Sequence, residues 1–402
     1  MRIIYISGLY PAEIIKKIES DSKSFIHYGP NKLQQIFATG LKEFFNNVVV
    51  ITSPLIGTYP KSYKKVFFKS YKFITNNSTL YSVATIRLPI FDLFSKCITI
   101  FIRLNKIVKE TNNFNYIIIY SPHFPYILAS LVCKYFNKNV KICVYINDLP
   151  EYMSSNKNIV YLTLKKIEKS LFKLFLKKFD SYILVTKNLA NKLSIVDKPW
   201  ICIEGIYNEN NNLLSTGKFN YLKKDGDSIL LYTGSLDRRY GINDLINSFL
   251  LINDPNIKLW ICGFGEMKDE IIKISKENKQ IFYLGQLTHE EVISLQQLAN
   301  ILINPRKPFD DFTKYSFPIK TLEYLASGIP TIMYQLPGIP QEYYEHFFTP
   351  DGFTNIDLKN SILRVLKYPQ KDLLNKVSAA KNFILKNNSI KTQFSKLTNI
   401  IS

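Results

Sequence analysis

Short apolar runs recur along this chain with helical stretches between them, and that alternation constrains its fold more than any other feature. In the first half the runs lie at 2–7, 48–52, 116–120, 142–146, 182–186 and 201–203, with helical patterns such as 32–45, 93–111 and 159–178 between them. In the second half they lie at 229–233, 258–262, 281–284, 301–303 and 331–334. A strand apolar on both sides must be covered on both sides, so strands alternating with helices predict parallel sheets sandwiched by helices. Between the halves, 207–227 loses this periodicity. Asn208-Glu-Asn-Asn-Asn212 and Lys223-Lys-Asp-Gly-Asp227 read as an exposed linker. The predicted fold class is α/β, with two doubly wound, Rossmann-like units at 1–206 and 207–385 and a terminal helix at 386–402.

Charge divides unevenly between these halves. Residues 1–205 carry 29 Lys and Arg against 12 Asp and Glu, whereas the remainder carries 23 against 20. The first half therefore expects an anionic partner: a membrane surface, a phosphorylated substrate or nucleic acid. No nucleic-acid motif accompanies the charge, so nucleic acid is the weakest of the three. Lys61-Ser-Tyr-Lys-Lys-Val-Phe-Phe-Lys-Ser-Tyr-Lys-Phe73 mixes cations with aromatic rings and suits an anionic lipid surface. The basic stretch 161–179 reads instead as a crossover helix with a solvated face. The five cysteines are scattered with no Cys-x-x-Cys, which reads as buried reduced thiols in a cytosolic protein. No signal peptide is expected at the start, and no apolar run reaches the length of a membrane span.

In doubly wound sheets, ligands gather where strands end. Ser316-Phe-Pro-Ile-Lys-Thr-Leu-Glu-Tyr-Leu-Ala-Ser-Gly-Ile-Pro-Thr-Ile-Met333 reads as a short helix running into a strand, with Pro318 in its first turn and Gly328 stopping it. Lys320 and Glu323 share a face. Helix N-terminal amides and Lys320 suit a diphosphate, and the two oxygens of Glu323 suit a ribose diol. A solvated Lys–Glu pair is the alternative. Gly234 lets backbone approach a phosphate beside Ser235, Arg238 and Arg239, while Gly263 and Gly265 form a second Gly turn after a strand. His123 and Asp148 stand after strands of the first half, where a catalytic and a structural role remain equally open. Asn304-Pro-Arg306 also follows a strand. Asp225-Gly-Asp227 reads as a turn and Asp310-Asp311 as a solvated loop, so no metal is expected.

In order, these segments resemble the GT-B fold glycosyltransferases of family 4. The series is Tyr232-Thr-Gly-Ser-Leu…Tyr240-Gly-Ile, Leu259-Trp-Ile-Cys-Gly-Phe-Gly265, Phe282-Tyr-Leu-Gly-Gln-Leu, Ile301-Leu-Ile-Asn-Pro305 and Phe317-Pro-Ile-Lys-Thr-Leu-Glu-Tyr-Leu-Ala-Ser-Gly-Ile-Pro330. The first half, through Ser53-Pro-Leu-Ile-Gly-Thr-Tyr-Pro60, Asp148-Leu-Pro-Glu151 and Glu204-Gly-Ile206, looks like bacterial members that build surface polysaccharides. The resemblance implies two domains facing a cleft, with the terminal helix returning to the first. It also implies a retaining, metal-independent transfer from a nucleotide-diphosphate sugar to an anionic, lipid-linked acceptor, peripherally at the inner face of the plasma membrane. Glu323 matches the second Glu of the family's E-x7-E motif, and His123 its N-domain His. Residues and resemblance together assign Gly234, Ser235, Arg238, Arg239, Gly263, Gly265, Gln286, Phe317, Pro318, Lys320 and Glu323 to the donor, and His123 and Asp148 to catalysis. Three departures stand out: Tyr315 replaces the first motif Glu, and Ser235 and Tyr240 replace the usual Arg and Lys of the diphosphate loop. A sugar-nucleotide epimerase and a non-catalytic nucleotide-sugar-binding subunit remain the alternatives.

Overall fold

The computed structural model describes residues 1–23, 26, 28–75, 78–111, 113–149, 169–208 and 217–401. The chain forms two compact units, Met1–Ile206 with Gln393–Ser402, and Tyr207–Thr392.

The first unit is built on an eight-stranded sheet. The described strands of the unit are β1 (Arg2–Ser7), β2 (Val48–Thr52), β3 (Phe67–Phe68), β4 (Tyr71–Thr75), β5 (Ser78–Ser82), β6 (Thr85–Ile86), β7 (Asn115–Tyr120), β8 (Val140–Ile146), β9 (Ser181–Leu184) and β10 (Trp200–Cys202). The order across the sheet is β10-β9-β8-β7-β1-β2-β5-β4. All neighbours are parallel except β4, which runs antiparallel to β5. β3 and β6 pair separately as a short antiparallel ribbon. The apolar runs of the sequence become the parallel strands to within two residues. The stretch from β3 to β6 was not legible as strand. It alternates Lys with Phe and Tyr, and β4 lies at the sheet edge, where an exposed Lys opposes pairing with other chains.

The helix Ile390–Ile401 completes this unit. Its Phe394 is fully buried, with ring centroids 5.1 Å from Phe37 and 5.7 Å from Phe44. A Cβ on Gly40 would stand 2.1 Å from the Phe394 ring, so the glycine in the helix Tyr28–Phe44 makes room for it. The Tyr116 hydroxyl donates to the Ile400 carbonyl at 2.9 Å, and Lys396 reaches Glu204 at 3.7 Å.

The second unit carries a five-stranded parallel sheet: β11 (Ser228–Ser235), β12 (Ile257–Phe264), β13 (Ile281–Tyr283), β14 (Ile301–Asn304) and β15 (Thr331–Met333), in the order β13-β12-β11-β14-β15. Alternate residues of one strand enter different cores. Leu230, Tyr232, Leu259 and Ile261 pack on one face, and Ile229, Leu231, Trp260 and Cys262 on the other. This double burial is why each strand reads as a continuous apolar run. Of the two runs read as an exposed linker, the second has Lys224, Asp225 and Gly226 exposed as expected, while Phe219, between the runs, is buried in the core with Trp260 and the Tyr207 amide donates to Asn388 O at 2.8 Å. Residues 209–216 of that region, and 150–168 with Glu151 and the first eight residues of the basic stretch, lie outside the described residues.

Candidate functional site

The chain winds from β11 outwards through β12 and β13, then returns to β14 on the other side. The carboxyl ends of β11 and β14 are therefore the switch point of the second sheet, the place where such folds bind ligands.

The helix Lys320–Ala326 is anchored there. Its Tyr324 hydroxyl accepts from the Thr233 amide at 2.9 Å and donates to the Thr233 carbonyl at 3.2 Å, clamping it to β11. Pro318 precedes the helix rather than opening its first turn, and the first helical residue is Lys320, a correction to the expected start. Gly328 sits at φ +76°, the left-handed stop that the sequence predicts. Lys320 Nζ lies 2.7 Å from Glu323 Oε2, and His289 Nδ1 lies 3.9 Å from Glu323 Oε1. Burial disfavours a charged Lys320, but the carboxylate beside it prevails and holds the ammonium above its usual range. Both side chains stay partly solvent-accessible, at 32% and 20%. They form a charged pair at the sheet's ligand-binding edge. Phe317 and Pro318 are buried, with Phe317 edge-on to Tyr343 at 5.5 Å. Tyr315, where the first motif Glu is expected, closes the turn Asp311–Lys314.

The loop after β11 carries the arginines. Arg238 is exposed and paired, with Nη2 2.5 Å from Glu270 Oε2, while its amide donates to Glu266 at 3.0 Å. Arg239 turns the other way. Its guanidinium stacks on Tyr240 at 4.9 Å and on Phe312 at 5.5 Å. Arg306, just beyond β14, stacks on the same rings at 4.3 and 5.4 Å. Two guanidinium groups thus converge on one aromatic pair. Such stacking fixes the planar fork of each guanidinium, and Arg239 Nη2 also lies 3.9 Å from Asp237 Oδ2. Gly241, at φ +79°, brings the loop against Pro305, where a Cβ would stand 2.3 Å from the Pro305 carbonyl oxygen. That contact sets Arg306 beside Arg239. In the sequence only its position after a strand marks Arg306 as a candidate.

Gly263 and Gly265 have a packing reason of their own. A Cβ on Gly263 would fall 1.8 Å from the Gly234 carbonyl oxygen, and one on Gly265 2.6 Å from Leu236. The two loops close on each other through Leu236 N to Phe264 O at 3.0 Å and Met267 N to Leu236 O at 3.1 Å. A Cβ on Gly234 would meet the Tyr232 side chain, its hydroxyl at 3.2 Å, and Ser235 beside it is exposed. Gln286 is exposed, after Gly285. Asp225 and Asp227 form the turn expected of them, with the Lys224 amide donating to Asp227 at 3.1 Å. Asp311 faces Lys314 at 3.6 Å.

In the first unit, β7 and β8 are parallel neighbours, so the segments that follow them share one edge of the sheet. His123 precedes the helix Phe124–Phe136, with its ring edge-on to Tyr126 at 4.7 Å. Asp148 follows β8 and accepts from the Leu149 amide at 3.0 Å. Both are half-buried.

Residues 216–382 match the model of the family described as Glycosyl transferases group 1. Solved structures resemble the whole chain. A sucrose-phosphate synthase from Thermosynechococcus elongatus has a TM-score of 0.70 at 15% identity, covering 100% of this chain and 99% of its own. A trehalose-6-phosphate synthase from E. coli, bound with UDP-2-fluoro glucose, has a TM-score of 0.69 at 11% identity, covering 99% and 98%. HepE from Anabaena, in complex with UDP, has a TM-score of 0.65 at 10% identity, covering 100% and 99%. No curated protein matches the sequence significantly. The fold is GT-B, and the second unit carries a glycosyltransferase domain.

Proposed function

We propose that this glycosyltransferase moves a sugar from a nucleotide-diphosphate donor to an anionic, lipid-linked acceptor, with retention of anomeric configuration. One observation carries the donor half. The Lys320–Glu323 pair and the stacked Arg239 and Arg306 gather at the ligand-binding edge of one sheet. Glu323 takes the ribose diol through its two carboxylate oxygens. Arg239, Arg306 and Lys320 neutralise the charge that grows on the leaving diphosphate, and preorganised cations lower the barrier most where charge develops. Arg238 contributes less, because Glu270 already holds it. The acceptor hydroxyl loses its proton to the departing phosphate, so no separate base is required. His123 and Asp148 are proposed to contact the reacting sugar and the acceptor. UDP complexes of structural neighbours support a nucleotide donor.

The basic first unit supports the anionic acceptor and peripheral binding to an anionic membrane, as in family 4 enzymes of surface-polysaccharide synthesis. The deciding experiment incubates the protein with a panel of nucleotide sugars, with and without undecaprenyl-diphosphate-linked sugars, and scores nucleotide release in the presence of EDTA. Acceptor-dependent release with an α-linked product from an α-linked donor is expected. Conversion of the donor sugar without acceptor would mean an epimerase, and binding without turnover a non-catalytic subunit.

A further inference from the structure

The helix Phe91–Lys109 packs one face on the first unit through Ile100, Leu104, Ile107 and Val108. Its opposite face is also apolar. Phe91, Phe94, Ile98 and Ile102 follow one another at helical spacing, each 57–64% exposed. The ribbon of β3 and β6 continues this surface, with Phe67 67% exposed. Ribbon and helix enclose an open groove of about 740 Å³ lined by Phe67, Ile86, Phe91, Phe94 and Ile98, with Lys69 at its margin. A continuous exposed apolar band of this kind ordinarily marks an interaction surface.

Charge selects the occupant. The helix holds a single carboxylate, Asp92, and it is turned inward. Asp92 bridges Arg87 at 2.7 Å and Lys96 at 2.7 Å, all three being buried. The solvent-facing side of the helix therefore carries no acid and ends in exposed Lys106 and Lys109, and the exposed Glu110 that caps it faces Arg2 at 3.5 Å. None of the residues lining the groove is acidic. An apolar stripe with a cationic border and no carboxylate is the pattern of a helix lying in the plane of an anionic lipid interface. A second copy of the chain would bring two cationic borders together, which like-charge repulsion opposes. Among the described residues no helix is long and apolar enough to cross a membrane, so this helix is suited to lie on one.

We infer that the helix Phe91–Lys109 and the β3–β6 ribbon form a face that docks on an anionic lipid bilayer, inserting Phe67, Phe91, Phe94, Ile98 and Ile102 below the headgroups. The inference rests on the proposed membrane association and gives it a location. It extends what the sequence alone suggested: Phe67 lies within Lys61–Phe73, whereas Phe91, Phe94, Ile98 and Ile102 belong to a helix outside that segment. Within that segment Lys65 is held by Asp21 at 2.8 Å, and Lys64 donates to the Ser20 carbonyl at 2.6 Å.

The test is flotation with vesicles of phosphatidylcholine alone or mixed in equal parts with phosphatidylglycerol. Wild type should float only with the mixture. The double variant Phe94→Ser/Ile98→Ser should lose about tenfold or more in affinity, and Lys69→Gln/Lys106→Gln/Lys109→Gln should weaken binding and flatten its salt dependence. Leu374→Ser, an exposed site in the second unit, should change nothing. Far-UV circular dichroism and affinity for UDP, read in parallel, show that each variant is folded. If wild type floats and the double variant floats equally well, this face is wrong while membrane association stands. If wild type floats with neither vesicle, both fall. Self-association of wild type that the double variant abolishes, without flotation, would assign the face to a second copy and overturn the inference.

Discussion

Lys320 and Glu323 lie one turn apart on a seven-residue helix, with the ammonium 2.7 Å from the carboxylate. In the proposed donor site the pair would serve two parts of one ligand, the cation meeting phosphate charge and the anion neutral hydroxyls. Without ligand each stabilises the other, so removing either leaves a partly buried charge behind.

Glu323→Ala should weaken binding of a nucleoside diphosphate by about 1.5–3 kcal/mol, the range for hydrogen bonds to a charged group. Isothermal calorimetry with UDP and GDP measures this. Unchanged affinity, with the fold intact by circular dichroism, would remove Glu323 from the ribose site.

Arg306→Gln and Arg238→Gln separate the two basic positions. Arg306 stacks beside Arg239 at the switch point, whereas Arg238 is held by Glu270. Turnover should fall by about ten- to a hundredfold in Arg306→Gln, the loss of one charge-assisted contact to phosphate. It should change little in Arg238→Gln. Steady-state kinetics showing the reverse order would reassign the diphosphate to the exposed arginine.

Gly263→Ala should be among the most damaging single changes in the second unit. Its Cβ would overlap the Gly234 carbonyl, and neither backbone can yield without breaking the β11–β12 register. A loss above about 4 kcal/mol is expected, and thermal or urea unfolding can measure it. Ala tolerated at this site would mean that the two loops do not close on each other.

Phe394→Ala should cost the first unit about 3–5 kcal/mol, the range for truncating a buried aromatic side chain. Proteolysis should then release the terminal helix before the rest of the unit opens. A variant cleaved at the wild-type rate would show that Tyr116 and Lys396 hold the helix unaided.

Acid should loosen the helix His289–Leu298. Lys218 and the Thr288 amide hold the Glu291 carboxyl below its ordinary value, against the opposing effect of burial. A depressed folded-state value means that this stabilisation is complete above the unfolded value near 4.5 and is lost as pH falls through the lower, folded value. Acid titration by circular dichroism should therefore show a shallower loss of stability in Glu291→Gln than in wild type.

The chain's alternating apolar runs determine the parallel strands of two sheets, because a strand buried on both faces leaves no polar residue to blur its limits. Ser228–Ser235 and Ile257–Phe264 were legible for that reason. Lys320 and Glu323 were legible too, since three residues of helix fix their common face. Tertiary structure alone decided the rest. Arg238 and Arg239 are neighbours in sequence with the same chemistry, yet Glu270, 32 positions beyond Arg238, draws one outwards. Phe312 and Tyr240 hold the other beside Arg306. Gly263 reads as a ligand turn until the Gly234 carbonyl is found against it. On the helix Phe91–Lys109 both faces are apolar in sequence, and only packing decides which is buried. Each of these outcomes depends on contacts between segments far apart in the chain, which no local pattern of residues encodes.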